Sequence, residues 1–312
     1  MRSALLAGLI IAGLTASTAH AADKNYHELV LDLPLPSRIE QAVHHSREET
    51  RGDATQSMWV DTRSQVTLDA NEAGDAHRVT LKLLERKVSS PELEPMLAAT
   101  VPATMVYEAD ESLRPTKIED WDQIKVQQLS FVAKAMPALK APMEKMYASL
   151  SPETAAAMML KEQAYLSVGQ NIGVTLGAPT LYDIESPSPF GGAPIKLKGQ
   201  ISLESFDDKA KVATVRWTEK PDPESTMAAG LKLAGQLAGP EKSTEIAKAA
   251  EAMRSVKMDI TKGCLFEIDT VNGLVRKADC EETIVATDGT GGPNGSSKRS
   301  ERWVMTQTVL KN

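Results

Sequence analysis

Three groups of residues in this sequence have types and spacings that could do chemistry. The first is the pair Cys264 and Cys280, the only cysteines in the chain. The segment CLFEIDTVNGLVRKADC reads as two strands flanking Val271, Asn272 and Gly273. A three-residue loop ending in glycine suits a type I turn followed by a left-handed residue. In that register opposed residues have numbers summing to 544, so Glu267 faces Lys277 and Cys264 faces Cys280. Opposed cysteines on antiparallel strands come within bonding distance, and the pair is read as a structural cross-strand disulfide. A redox-active pair would more often be C-x-x-C at a helix start. Zinc would need four ligands, and the chain has no further cysteine to offer.

The second group is His44, His45, Glu48 and Glu49 in HHSREE. Adjacent histidines on a strand point to opposite faces, and H-E-x-x-H is absent. His44 and Glu48 share a face on either a strand or a helix, which supplies two metal ligands at most. The third group is Asp120 and Asp122 on either side of Trp121. Paired carboxylates can do acid–base work, but Asp120 is equally explained as a helix cap with Gln123 at the box position. There is no nucleophile elbow, P-loop or dinucleotide fingerprint. No catalytic residue, metal or cofactor is assigned. A hydrolase or metal-dependent enzyme built on the His44 region or the Asp120–Asp122 carboxylates stays open as an alternative. Arg51-Gly52-Asp53 is a tripeptide that chance supplies often and is given no function.

The compartment follows from the start of the chain. Arg2 precedes an apolar run from Ala4 to Leu14, and Ala19 and Ala21 occupy small-residue cleavage positions. This is the pattern of a secretory signal peptide over residues 1–21. The apolar run is shorter than the roughly 20 residues a membrane span needs, so the mature chain is expected to be periplasmic or secreted, without a transmembrane anchor. The net charge of −7 argues against nucleic acid as a partner. Aromatic residues at 4% argue against a stacking platform for sugars or bases.

The elements that would position these residues alternate in type. From Tyr26 to Glu108 the period is two: Val79, Leu81 and Leu83 share one face, and Met58, Val60, Val66 and Leu68 another. The stretches NEAGD and SSPELEP read as loops. A helical pair follows, with Pro137 and Pro142 as breaks and a second start at Ser151-Pro152. Strands return before an alanine-rich helical pair split at Gly239-Pro240, and again through the cysteine hairpin to RWVMTQTVL. The expected fold is α+β: a curved antiparallel sheet, or two, half-barrel-like, with two inserted helical pairs. Division falls at 22–167 and 168–312, with one continuous domain left open. VYEADESLRPTKIE and LFEIDTVNGLVRKAD echo each other, and chance similarity of two hairpins is the preferred explanation.

Methionine points to a function. The chain has 13, and Met136, Met143, Met146, Met158 and Met159 cluster in the first helical pair. They suit either an ordinary core or a pliable apolar groove. With YEADESLRPTKIEDWDQI and FEIDTVNGLVRKADC, the exported chain resembles periplasmic half-barrel proteins of the lipoprotein-carrier type and uncharacterised exported bacterial β-rich families. That resemblance implies an incomplete barrel closed by helices around an apolar cavity. The leading expectation is a non-enzymatic envelope protein binding a lipid or a hydrophobic partner segment there. A structural or protein-interaction module of the envelope is the first alternative.

Overall fold

In the computed structural model the described residues are 25–71, 74, 76–188, 193–238, 251, 256–287 and 296–311. The expected signal peptide, the expected second helix of the second pair and the glycine-rich stretch before the last strand lie outside them.

The chain opens with β1 (Tyr26–Leu29), then the meander β2 (Ser37–Arg51), β3 (Ala54–Ala70) and β4 (His77–Val88). After α1 (Glu94–Thr100) come β5 (Thr104–Ala109) and β6 (Pro115–Ile118). Four helices follow: α2 (Trp121–Ala135), α3 (Lys140–Ser149), α4 (Pro152–Met159) and α5 (Lys161–Val168). The second half holds β7 (Ile172–Thr175), β8 (Thr180–Ser186), β9 (Ile195–Asp207), β10 (Val212–Pro221) and α6 (Pro223–Ala238). It ends with β11 (Lys257–Asp269), β12 (Val275–Thr287) and β13 (Ser296–Val309).

Eleven strands form one open antiparallel sheet in the order β6-β5-β4-β3-β2-β13-β12-β11-β10-β9-β8. β1 and β7 make a separate two-stranded ribbon. The fold is therefore the expected α+β arrangement of a curved, unclosed sheet with helices. Period-two patterning sends one face of each strand inward. Ile39, Val43, Val66, Leu68, Val79, Phe266, Cys280, Trp303 and Met305 are all buried. They fall into two clusters. One lies under α5 and the ribbon and includes Tyr165, Trp217 and Trp303. The other lies under α2 and α4 and includes Tyr107, Trp121 and Ala155.

Local chemistry explains several boundaries. Gly52 adopts φ +56° at the tip of the β2–β3 hairpin, between the paired residues Arg51 and Ala54. The Arg-Gly-Asp tripeptide is thus the turn itself. Ser151 caps α4 by accepting the Thr154 N–H at 3.2 Å, with Pro152 in the first turn. Asp120 makes no side-chain cap to α2. Its φ/ψ of −99°/28° is not the extended cap conformation that aims a carboxylate at the N3 N–H.

Three further readings need correction. SSPELEP is not a loop: Pro91–Leu93 form a 3-10 turn leading into α1, and Arg86 holds that helix start through Glu94 at 3.0 Å. Pro142 does not break a helix. It sits in the first turn of α3, where its missing N–H has no intrahelical acceptor. The first helical pair is four shorter helices, parted by the 3-10 turn at Pro137–Leu139 and at Leu160.

Candidate functional site

The cysteine register is as expected. Cys264 faces Cys280 and Glu267 faces Lys277, and the sulfurs are bonded at 2.03 Å. The turn is longer than three residues. A register shift between Glu267 and Ile268 brings Ile268 opposite Val275, and Gly273 at φ +70° donates its N–H to Asp269 O at 2.8 Å. Both cysteines are buried in the core, consistent with a staple.

On that same inward face lies a row of polar residues from successive strands. Arg47 faces Glu301, Glu301 faces Glu282, Glu282 faces Lys262, Lys262 faces Glu219, Glu219 faces Gly199, and Gly199 faces Tyr182. Charges of opposite sign alternate except at Glu301–Glu282, two carboxylates side by side. Lys161 of α5 answers that repulsion: its Nζ lies 2.8 Å from Glu282 Oε2 and 3.6 Å from Glu301 Oε2. The same ammonium sits 4.4 Å above the Trp303 ring, a cation–π contact. Tyr165, one turn along α5, donates its hydroxyl to Glu282 at 3.0 Å. Burial raises the Glu282 carboxyl, but Lys161, Lys262 and the Tyr165 hydroxyl together outweigh it and hold the group below the usual carboxylate value. Burial and the Glu282 charge raise Tyr165. At the far end Tyr182 donates to Glu219 at 3.1 Å and accepts from the Trp217 indole at 2.7 Å. Gly199 makes room for the Tyr182 ring.

His45 belongs to this row's surroundings. Its ring stacks on Trp303 at 4.8 Å, nearly parallel, and Nε2 is buried without a hydrogen-bond partner. Burial, with Lys161, Arg299 and Arg47 nearby, lowers its pKa against the opposing pull of Glu301. Arg299 and Arg47 also pair with Glu301. The row is a closed ion network that fastens α5 to the centre of the sheet.

An open trough lies on the opposite face. It has a volume of about 810 Å³ and crosses β3, β2, β13, β12, β11 and β10. Outward-facing residues line it: Trp59, His44, Glu48, Arg302, Glu281 and Arg216 among them. Gly263 lies in its floor, directly opposite Glu281 and Thr218. His44 Nδ1 lies 2.5 Å from Asp61 Oδ1 at the trough's edge.

The structure separates the residues that sequence grouped together. His44 and Glu48 face the trough, while His45 faces inward. Glu49 is held by Arg47 and Arg51, each at 2.6 Å, and these salt bridges lower its pKa. His27 stacks on Phe206, and His77 lies on β4. Among the described residues no three potential ligands cluster as a metal site. Asp122 is exposed and paired with Lys125 at 2.7 Å, whereas Asp120 Oδ1 is buried, so the two carboxylates do not converge. Met146 and Met159 pack against the second core cluster with Tyr147. Met136 and Met143 are half-buried, and Met158 is exposed. The five methionines thus differ in burial. Sequence reading missed Trp59, Glu281 and Gly263. The alternation that sends Met58 and Val60 inward already sends Trp59 outward, and a lone glycine inside a strand pattern marks a close approach or an open floor.

Among the described residues no helix is long and apolar enough to cross a membrane. No family model matches the chain, and neither does any curated protein. Among solved structures it is similar to DynF from the dynemicin biosynthesis pathway of Micromonospora chersina, at 10% identity over 93% of this chain and 88% of that one, with a TM-score of 0.21. Pseudomonas aeruginosa OpdQ matches at 6% identity over 89% and 99%, with a TM-score of 0.22. MucB in complex with MucA(peri) matches at 10% identity over 86% and 89%, with a TM-score of 0.15. Likenesses at these scores carry no conclusion about this chain's fold or function.

Proposed function

We propose that this protein is an exported, non-enzymatic interaction module that docks another protein of the envelope. One observation carries the reading: the inward face of the sheet, where an apolar ligand would sit, is occupied by the protein's own side chains. Trp303, Tyr107, Phe266, Leu166 and Met305 are each fully buried there, and α5 is tied across it by the Lys161 network. A face filled by the protein's own side chains disfavours an acyl chain as its ligand. The accessible concavity is on the polar face, which suits a polar partner. Export is supported by the leader pattern of residues 1–21 and by the disulfide, which persists in oxidising compartments.

The test is native mass spectrometry of protein purified from the envelope without detergent, followed by solvent extraction. The expected result is the mature apo mass, with nothing extracted beyond a control exported protein. A reproducible stoichiometric lipid would overturn the reading and restore the hydrophobic-ligand carrier.

A further inference from the structure

We propose that the outer trough docks a cationic, extended segment of the partner protein, with Trp59, Glu48 and Glu281 as the principal contacts. This rests on the interaction-module reading and deepens it.

The charge balance of the trough sets the sign of its ligand. Its two outward arginines are already held. Arg302 makes a two-pronged pair with Asp279 at 2.8 and 2.6 Å, and Arg216 pairs with Glu204. An anion would have to displace a carboxylate to reach either. Glu281 faces Arg302 across β12–β13 and accepts the Thr283 hydroxyl at 3.2 Å, but that arginine is paired with Asp279. Neither Glu48 nor Glu281 has an ion-pair partner within 4.0 Å among the described residues, so the charge left over is negative. Trp59 stands diagonal to Glu48 at 38% exposure, while Trp121, Trp217 and Trp303 are at 3%, 6% and 2%. An exposed indole next to a free carboxylate suits a lysine or arginine, whose stem lies on the ring and whose head reaches the acid.

The register gives the spacing. Ser57 faces Glu48 across β2–β3, and Trp59 lies two residues further along β3. Trp59 and Glu48 are thus diagonal neighbours about 7–8 Å apart. Glu48 faces Ser300, Ser300 faces Thr283, and Glu281 is two residues from Thr283. Two strand steps of about 4.8 Å and two residues of about 3.3 Å place the glutamates about 12 Å apart. In an extended segment, residues four apart point the same way at a separation of about 13 Å. The fitting segment therefore carries cations at positions i and i+4. Thr283 already donates to Glu281, but hydroxyls of Ser57, Ser300 and Thr261 also line the trough and can bond the segment's peptide groups. A free polyamine would not use them.

The test uses the full mature chain and two synthetic Ser/Ala peptides, one with lysines four residues apart and one with glutamates there. Because Trp59 is the exposed tryptophan, acrylamide quenching of the protein's fluorescence reports on the trough directly. The lysine peptide is expected to bind saturably at low salt, to shield Trp59 from acrylamide, and to be released by added salt. The glutamate peptide should do none of this. The Glu48→Gln/Glu281→Gln variant, with unchanged circular dichroism and melting, should bind the lysine peptide about tenfold more weakly, a loss of about 1.4 kcal/mol. Equal binding of both peptides, no shielding at millimolar peptide, or no effect of the double substitution would overturn the proposal. So would spermidine competing as tightly as the peptide. None of these outcomes bears on the lipid test, so the two failures are distinguishable.

Discussion

Replacing Lys161 by methionine tests whether the inward polar row holds the helical layer to the sheet. Lys161 is the cation shared by Glu282 and Glu301, at 2.8 and 3.6 Å. The two acids are 11% and 6% exposed and the lysine 35%. Breaking a buried pair costs about 3–5 kcal/mol, but a lysine one-third exposed is partly screened by water. Glu301 also keeps Arg47 and Arg299. Methionine retains favourable contact with the Trp303 ring. The expected loss for Lys161→Met is therefore about 2 kcal/mol at pH 7, carried mainly by the stranded Glu282. The sign of the pH dependence follows from Glu282. Its folded pKa lies below the unfolded value, so its contribution is present above the unfolded pKa and is lost as pH falls through the folded one. Lys161→Met removes the main cause of that depression, so wild type and variant should converge as the pH drops from 7 towards 3. The assay is urea unfolding at both pH values, with Glu282→Gln and the double variant completing a cycle. The double variant should be more stable than the sum of the single losses predicts, by about 1 kcal/mol or more. A gap that is the same at both pH values, or strict additivity, would refute the reasoning.

Two further outcomes are expected. Changing Cys264 and Cys280 together to alanine should cost about 3 kcal/mol in urea unfolding, from the chain entropy of a 16-residue separation, and reduction of the wild type should move stability the same way. Free thiols in peptide maps of envelope-derived protein would contradict the staple. Gly199→Ala should cost about 2–3 kcal/mol, because its Cβ would come within 2.3 Å of the Tyr182 ring and 2.6 Å of the Thr218 carbonyl. Expulsion of Tyr182 would also free Trp217 from its hydrogen bond, visible as a red-shifted fluorescence.

Much of the local structure was legible because it is periodic. Alternation assigned the inward residues of β3 and β4, and one glycine fixed the register that brings Cys264 to Cys280. What failed was local only in appearance. SSPELEP lacks a helical stripe, and its helix start is held by Arg86, a residue of the preceding strand. The capping reading of Asp120 depended on a backbone angle that the β6–α2 connection sets otherwise. The candidate sites were less legible still. No local spacing places Arg47 beside Glu301 or Lys161 beside Glu282, because the first needs β13 to pair with β2 and the second needs α5 to cross the sheet. The methionines were grouped by sequence neighbourhood, and burial separates them: Met146 and Met159 pack on the second core cluster while Met158 is exposed.

The position of β13 also bears on where a partner can bind. On one side of it β2 to β6 form a five-stranded meander, and on the other β8 to β12 form a second, laid out in the same direction. Each meander interrupts itself with a helix after its third strand, α1 in one and α6 in the other. Each ends in a comparable hairpin. Asp110 and Asp269 accept backbone N–H groups in the two turns. Leu113 and Gly273 adopt positive φ, and Lys117–Glu108 and Lys277–Glu267 bridge the strands, at 3.2 and 3.1 Å. The echo between the two hairpin sequences thus corresponds to equivalent places in the sheet. The trough has no such counterpart. Trp59 and Glu48 come from the first meander, Glu281 and Gly263 from the second, and Ser300 and Arg302 of β13 join them. A binding surface there requires both halves and the strand that closes the gap between them. In the full mature chain, Glu48→Gln and Glu281→Gln taken singly should therefore each weaken the lysine peptide, because the two acids come from different halves.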